Sequence, residues 1–271
     1  MKLRSENNSL YLRLMLQEIK NGYVNVELHN GITTIEFFHP QSNSLPGKIL
    51  EELALEIHAA GNDDDTKLII LRSGGDKAFC AGASFDELMA IKNKEQGFEF
   101  FSGFARVINE MRKCPKFIIG RIHGKCVGGG MGIAAAVDYA IAAEGAEIKL
   151  SELAIGIGPF VVGPAIERKI GLSAFSQLAI DATMWRNADW ARRKGLYSEL
   201  HPDVEGMDES IRRLVDALIH SSPQAMAEMK RMFWKGTEHW DELLFQRAAI
   251  SGSLVLSEFA KTAIKKFKSK S

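Results

Sequence analysis

The chain has 271 residues, 46% of them hydrophobic and 25% charged, which is enough to bury a sizeable core. Its 34 lysines and arginines balance 34 aspartates and glutamates, so no global field selects nucleic acid or an anionic membrane. No apolar run approaches the roughly 18 residues of a membrane span. Cys80, Cys114 and Cys126 form no CxxC pair, which points to a reduced, cytoplasmic setting and away from a disulfide framework.

Residues 1–20, with a short amphipathic stretch from Leu10 to Leu16, read as an appended extension. Tyr23 to Leu28 and Ile32 to Phe38 are rich in β-formers and flank His29-Asn30-Gly31, the composition of a hairpin turn. Leu45 to Ala60 carries apolar residues at helical spacing, and Leu68 to Leu71 reads as a short buried strand. A first glycine segment, Lys77-Ala-Phe-Cys-Ala-Gly-Ala83, precedes a helical stretch predicted over Phe85 to Arg112. Lys116 to Ile119 is a strand. The second glycine segment, Gly128-Gly129-Gly130-Met131-Gly132, then opens a small-residue helix, and Tyr139 to Ala142 forms another strand. Strands alternating with helices imply a mostly parallel sheet.

Beyond Val161 the pattern turns to helices: Val161 to Ile170, Ala174 to Ile180, Ala188 to Lys194, Asp208 to His220, Pro223 to Trp234 and Trp240 to Phe267. Only Leu196 to Leu200 reads as a further strand. The fold class is α/β, with an all-helical C-terminal region.

Each glycine segment lies where an apolar run meets a helix start, so each can present backbone N–H groups to an anionic or carbonyl oxygen. Two such donors converging on one oxygen form an oxyanion hole. The candidate acid-base partner is Glu152, set among apolar residues that raise a carboxyl pKa and ready it for proton transfer; the alternative reading is a helix-entry or edge carboxylate with Ser151 as a cap. Asp86 and Glu87 are read first as acids answering a helix macrodipole. His123 is taken as structural, and Cys80 and Cys126 as small buried hydrophobes.

In order and spacing, the two glycine segments, with His123 through Asp138, resemble the signature segments of the crotonase (enoyl-CoA hydratase/isomerase) superfamily. Ser42-Asn-Ser-Leu45 and Ser151-Glu-Leu-Ala-Ile-Gly156 are similar to two further motifs of that family, and the likeness runs from about Gly22 to Phe267. The resemblance implies a ββα spiral core over 21–200, with residues 201–271 as a helical region serving oligomerisation and covering coenzyme A. It implies an acyl-CoA thioester substrate, with coenzyme A as part of the substrate and no separate cofactor or metal, and a homotrimer or dimer of trimers. On matching positions the Ala83 and Gly129 amides polarise the thioester carbonyl and Glu152 transfers the proton. Lys77 and Ala81 fall where the family cups the nucleotide, Lys265 and Lys266 near where it covers the phosphates, and Gly132 and Phe160 on the acyl side.

One departure bears on the reaction. Hydratases of the family carry a second glutamate where Gly132 stands, so that two carboxylates hold one water. A single glutamate suits 3-enoyl to 2-enoyl isomerisation, and Pro159-Phe160 is similar to family isomerases. The 3-hydroxyacyl-CoA hydrolases are similar in the glycine segment but carry an aspartate where Phe160 stands. Hydration stays open through Asp86 or Glu87 as a replacement partner, and so does a non-catalytic acyl-CoA-binding role. Phe233, Trp234, Trp240 and Phe245 are expected as exposed apolar positions for assembly.

Overall fold

A computed structural model describes residues 21–268. The extension read over residues 1–20 lies outside them. Strand β1 (Tyr23–His29) pairs antiparallel with β2 (Ile32–Phe38) across the expected hairpin, where Asn30 and Gly31 both take positive φ. The remaining strands of the main sheet are parallel: β4 (Leu68–Ser73), β7 (Phe117–Ile122), β9 (Tyr139–Ala143) and β11 (Glu199–His201), in the order β1-β2-β4-β7-β9-β11.

Short strands missed by periodicity build two small accessory sheets. One is parallel, in the order β10 (Ile148–Lys149), β8 (Lys125–Val127), β5 (Ala78–Cys80); the other pairs β3 (Ser44–Leu45) with β6 (Gly82–Ala83). Two or three residues are too few to show a period of two. These small sheets carry both glycine segments.

The larger core lies between the main sheet and helices α1 (Gly47–Asn62), α3 (Lys94–Lys113), α4 (Gly129–Ala136) and α5 (Gly163–Ile180), and is closed by α9 (Trp240–Leu254). Helices α7 (Val204–Leu218) and α8 (Pro223–Phe233) bury Met207, Ile211, Val215 and Met226 against Leu68, Phe117, Ile119 and Ile141 of the sheet's other face. A third cluster joins α2 (Phe85–Ala90), a 3-10 turn over Leu153–Ile155 and α10 (Glu258–Lys268). The short helix α6 (Ala188–Arg193) leads into β11.

Several boundaries differ from the sequence reading. The stretch predicted as one helix over Phe85 to Arg112 is α2 and α3, divided where the Asn93 side chain caps α3 by accepting from the Gln96 N–H. Trp240 to Phe267 is likewise two helices, α9 and α10. In the opposite sense, the two helices read over 161–180 follow one another as α5, kinked at Gly171 (φ 78°). Trp240, expected on the surface, is 6% exposed and packs edge-on against Trp234, whose indole N–H donates to Asp138. Phe245 is half-buried against Phe98, leaving Phe233 the well-exposed member of that group.

Candidate active site

The first glycine segment is fastened by the loop before α1. Asn43, 3% exposed and at φ 55°, donates through Nδ2 to the carbonyls of Gly74 (2.9 Å) and Ala78 (2.8 Å), while its Oδ1 accepts from the His39 N–H (2.7 Å). Ser44 Oγ donates to the Ala83 carbonyl at 2.8 Å, and the Ser84 N–H donates to the Leu45 carbonyl at 2.9 Å. Successive N–H groups of an extended chain point to opposite edges, so the Ala83 N–H is turned away from β3. Asn43 lies within the Ser42-Asn-Ser-Leu45 motif, whose sequence does not disclose this stapling role.

The second segment places Gly129 at the first position of α4, where a helix N–H has no intrahelical acceptor. A Cβ built on Gly82 would lie 3.6 Å from the Gly129 nitrogen, so the two segments abut. Gly128 adopts φ 51°, ψ −114°, a conformation reserved in practice for glycine, and a Cβ there would stand 2.9 Å from Glu152 Oε1. The glutamate carboxyl thus lies directly over the second segment.

Glu152 itself opens the 3-10 turn, which ends at Gly156 in the left-handed region. Its carbonyl accepts from the N–H groups of Ile155 (3.2 Å) and Ile157 (3.1 Å). Phe259 and Ala260 of α10 pack over Gly156 from outside. Oε2 is buried without a hydrogen-bond partner. Burial pushes the Glu152 carboxyl up to about 7, opposed in smaller measure by the nearby backbone N–H groups of Glu152 and Ser151.

These groups surround a cavity with about 850 Å³ of empty space, open to solvent at its mouth. Ala81, Ala83, Gly129, Glu152 and Phe160 all line it; Lys77 and Gly132 do not. Lys77 is exposed, with its main chain against Gly124. The walls carry five phenylalanines, Phe85, Phe100, Phe101, Phe104 and Phe160, and Glu152 is the one ionisable side chain among the described lining residues. Phe101, Phe104, Val162 and Ser251 carry no signal in the sequence, because no motif marks a residue that merely faces a cavity.

The side chain missing at Gly132 has a successor. A Cβ on Gly132 would lie 2.5 Å from Val162 Cγ1 and 3.4 Å from Ile108 Cδ1, so aliphatic carbon fills the space a second carboxylate would need. Asp86 and Glu87 do not replace it. Glu87 Oε2 accepts from the Gly47 N–H at the start of α1 (2.8 Å), Asp86 accepts from Gln41 (3.2 Å), and neither lines the cavity. Cys80 and Cys126 are fully buried, with the Cys80 thiol pushed up to about 12 by burial, so neither is poised as a nucleophile.

The family model for enoyl-CoA hydratase/isomerase matches residues 27–269. The chain belongs to the enoyl-CoA hydratase/isomerase family. It is an acyl-CoA enzyme of that family. A probable enoyl-CoA hydratase of Bacillus subtilis is 28% identical over 238 residues, covering 87% of this chain and 92% of that protein. The mitochondrial methylglutaconyl-CoA hydratase of Homo sapiens is 30% identical over 189 residues, 69% of this chain and 55% of the human protein's length. Among solved structures, an enoyl-CoA hydratase from Bacillus halodurans superposes with a TM-score of 0.83 at 23% identity, over 90% of this chain and 99% of the other. That likeness carries the α/β crotonase fold with its helical C-terminal region.

Proposed function

We propose that the enzyme isomerises 3-enoyl-CoA to 2-enoyl-CoA thioesters with Glu152 as its single acid-base group. The observation that carries this reading is Val162 occupying the place of a second carboxylate beside Gly132. Glu152 as carboxylate takes a proton from C2 of the thioester. The electron pair moves onto the thioester oxygen, where the Ala83 and Gly129 N–H groups stabilise the dienolate. The Glu152 carboxylic acid then returns the proton to C4, and the double bond comes to rest between C2 and C3. No water enters, in keeping with walls of phenylalanine and aliphatic carbon.

Ala81 and Lys77 are assigned to the nucleotide end of coenzyme A, and Lys265 on the exposed end of α10 to its phosphates, by family position. A trimer or dimer of trimers is the proposed assembly, read out by light scattering. Hydration of a 2-enoyl-CoA is the second reading, and the hydratase names of the relatives favour it.

The deciding assay runs a 3-enoyl-CoA and a 2-enoyl-CoA in deuterium oxide. The proposal expects migration with deuterium at C2 and C4, and a loss of about a hundredfold or more in Glu152→Gln. Efficient water addition without migration would replace isomerisation by hydration. Tight binding of both esters with neither turnover nor exchange would make the chain a non-catalytic binder.

A further inference from the structure

Ser251 stands on α9, 1% exposed, and its side of the helix lines the same cavity. It is held there by main chain. Gly252, the next residue, meets Gly97 of α3 so closely that a Cβ on Gly97 would lie 2.6 Å from the Gly252 carbonyl oxygen. Neither helix can rotate without separating the pair, so the serine's position on the wall is fixed.

A serine inside a helix ordinarily returns its hydroxyl to the carbonyl four residues back, as Ser102 of α3 does by donating to Phe98 at 2.6 Å. Ser251 makes no such bond, and no other described residue donates to or accepts from its hydroxyl. The cavity wall is otherwise phenylalanine and aliphatic carbon at this end, so a hydroxyl on it can pair with an oxygen of whatever fills the cavity. The other polar side chains on the described wall, Ser151 and Glu152, are adjacent in sequence and belong to the reacting end.

We infer that Ser251 is a specificity-determining residue that hydrogen-bonds an oxygen substituent, a hydroxyl or carbonyl, on the acyl group. This rests on the cavity being the acyl site of a thioester enzyme, though not on which reaction follows. A site built to pair with a substrate hydroxyl rejects the analogue lacking it far more strongly than an apolar wall distinguishes one methylene.

The test uses the full chain and saturated acyl-CoA esters of equal length, one unsubstituted and the others bearing one hydroxyl at successive positions beyond C3. Dissociation constants are measured by calorimetry, so the outcome is independent of turnover. The wild type is expected to bind one hydroxylated ester at least about tenfold more tightly than the unsubstituted one. Ser251→Ala should erase that preference while binding the unsubstituted ester within about twofold of wild type, and Ser251→Thr should keep it. A wild type that binds no hydroxylated ester more tightly than the unsubstituted one, or a Ser251→Ala variant that weakens all esters equally, overturns the inference. Failure of isomerisation with the preference intact would sink the proposed reaction alone.

Discussion

At the scale of single residues, the chemistry turns on how the fold treats one carboxyl and one missing side chain. As the proposed base, Glu152 works only when ionised, and its carboxyl is held at about 7, so kcat/KM should rise with pH through about 7 and level off above it. Linkage gives the matching stability effect with the opposite sign. The folded state binds the Glu152 proton more tightly than the unfolded chain, so its contribution is present below the ordinary glutamate pKa of about 4.5 and is lost as pH rises towards about 7. Glu152→Gln should therefore be more stable than wild type at pH 8, by up to about 3 kcal/mol, and less pH-dependent between 5 and 8 in urea titrations. Wild type and variant with parallel pH profiles of stability would disprove that cost. Gly132→Glu tests the other residue: the new side chain meets Val162, and overpacking of this kind costs about 1–3 kcal/mol. Denaturant midpoints should fall for Gly132→Glu and recover in part when Val162→Ala is added.

Elements differ in how plainly the chain announces them. The hairpin, β4, β7, β9 and the helices over 45–60 and 223–234 are legible from β-former runs, a turn tripeptide and helical period, because each carries its signal within its own stretch of chain. The accessory strands, which hold Ala83 and Val127 in place, are not legible, since pairing over two or three residues leaves no pattern. The site divides in the same way. Glu152, Ala83 and Gly129 are readable because backbone donors and an acid require a local motif, whereas Phe104, Val162 and Ser251 arrive from α3, α9 and the segment before α5 only when the chain folds back. The crossing of α3 and α9 is where such distant elements set the cavity. Gly97→Leu should force the two backbones apart, lowering the thermal midpoint and weakening acyl-CoA binding while α1 and the main sheet are left in place. Circular dichroism melts and calorimetry on the same variant would show both changes; a Gly97→Leu variant with wild-type values for both would mean the crossing is not what positions the wall.

For the molecule as a whole, a buried ion pair joins its two faces. Asp138, at the turn between α4 and β9, receives Lys230 of α8 at 2.8 Å, with side chains 6% and 2% exposed, and also accepts from the Ile118 N–H at 2.7 Å and from Trp234. Lys230 donates as well to the Lys116 carbonyl at 2.7 Å. Removing one partner leaves the other charge buried and unpaired, so Lys230→Ala should cost about 3–5 kcal/mol in a reversible denaturation experiment. A loss below about 1 kcal/mol would show that water reaches Asp138 freely. Helices α8 and α9 follow one another, so the same variant also tests whether the sheet's outer layer steadies the acyl wall.

The contact between Gly97 and Gly252 has a consequence for how this cavity can change. Where two helices touch through their main chains, the spacing between them is a constant of the backbone, and no exchange of neighbouring side chains can draw them closer. Room for a longer or broader occupant must then be won by shortening phenylalanines such as Phe101 and Phe104, one ring at a time, with the helical frame unmoved. The cavity has a rigid gauge and an adjustable lining, so its shape can drift while the turn that holds Glu152 stays in register.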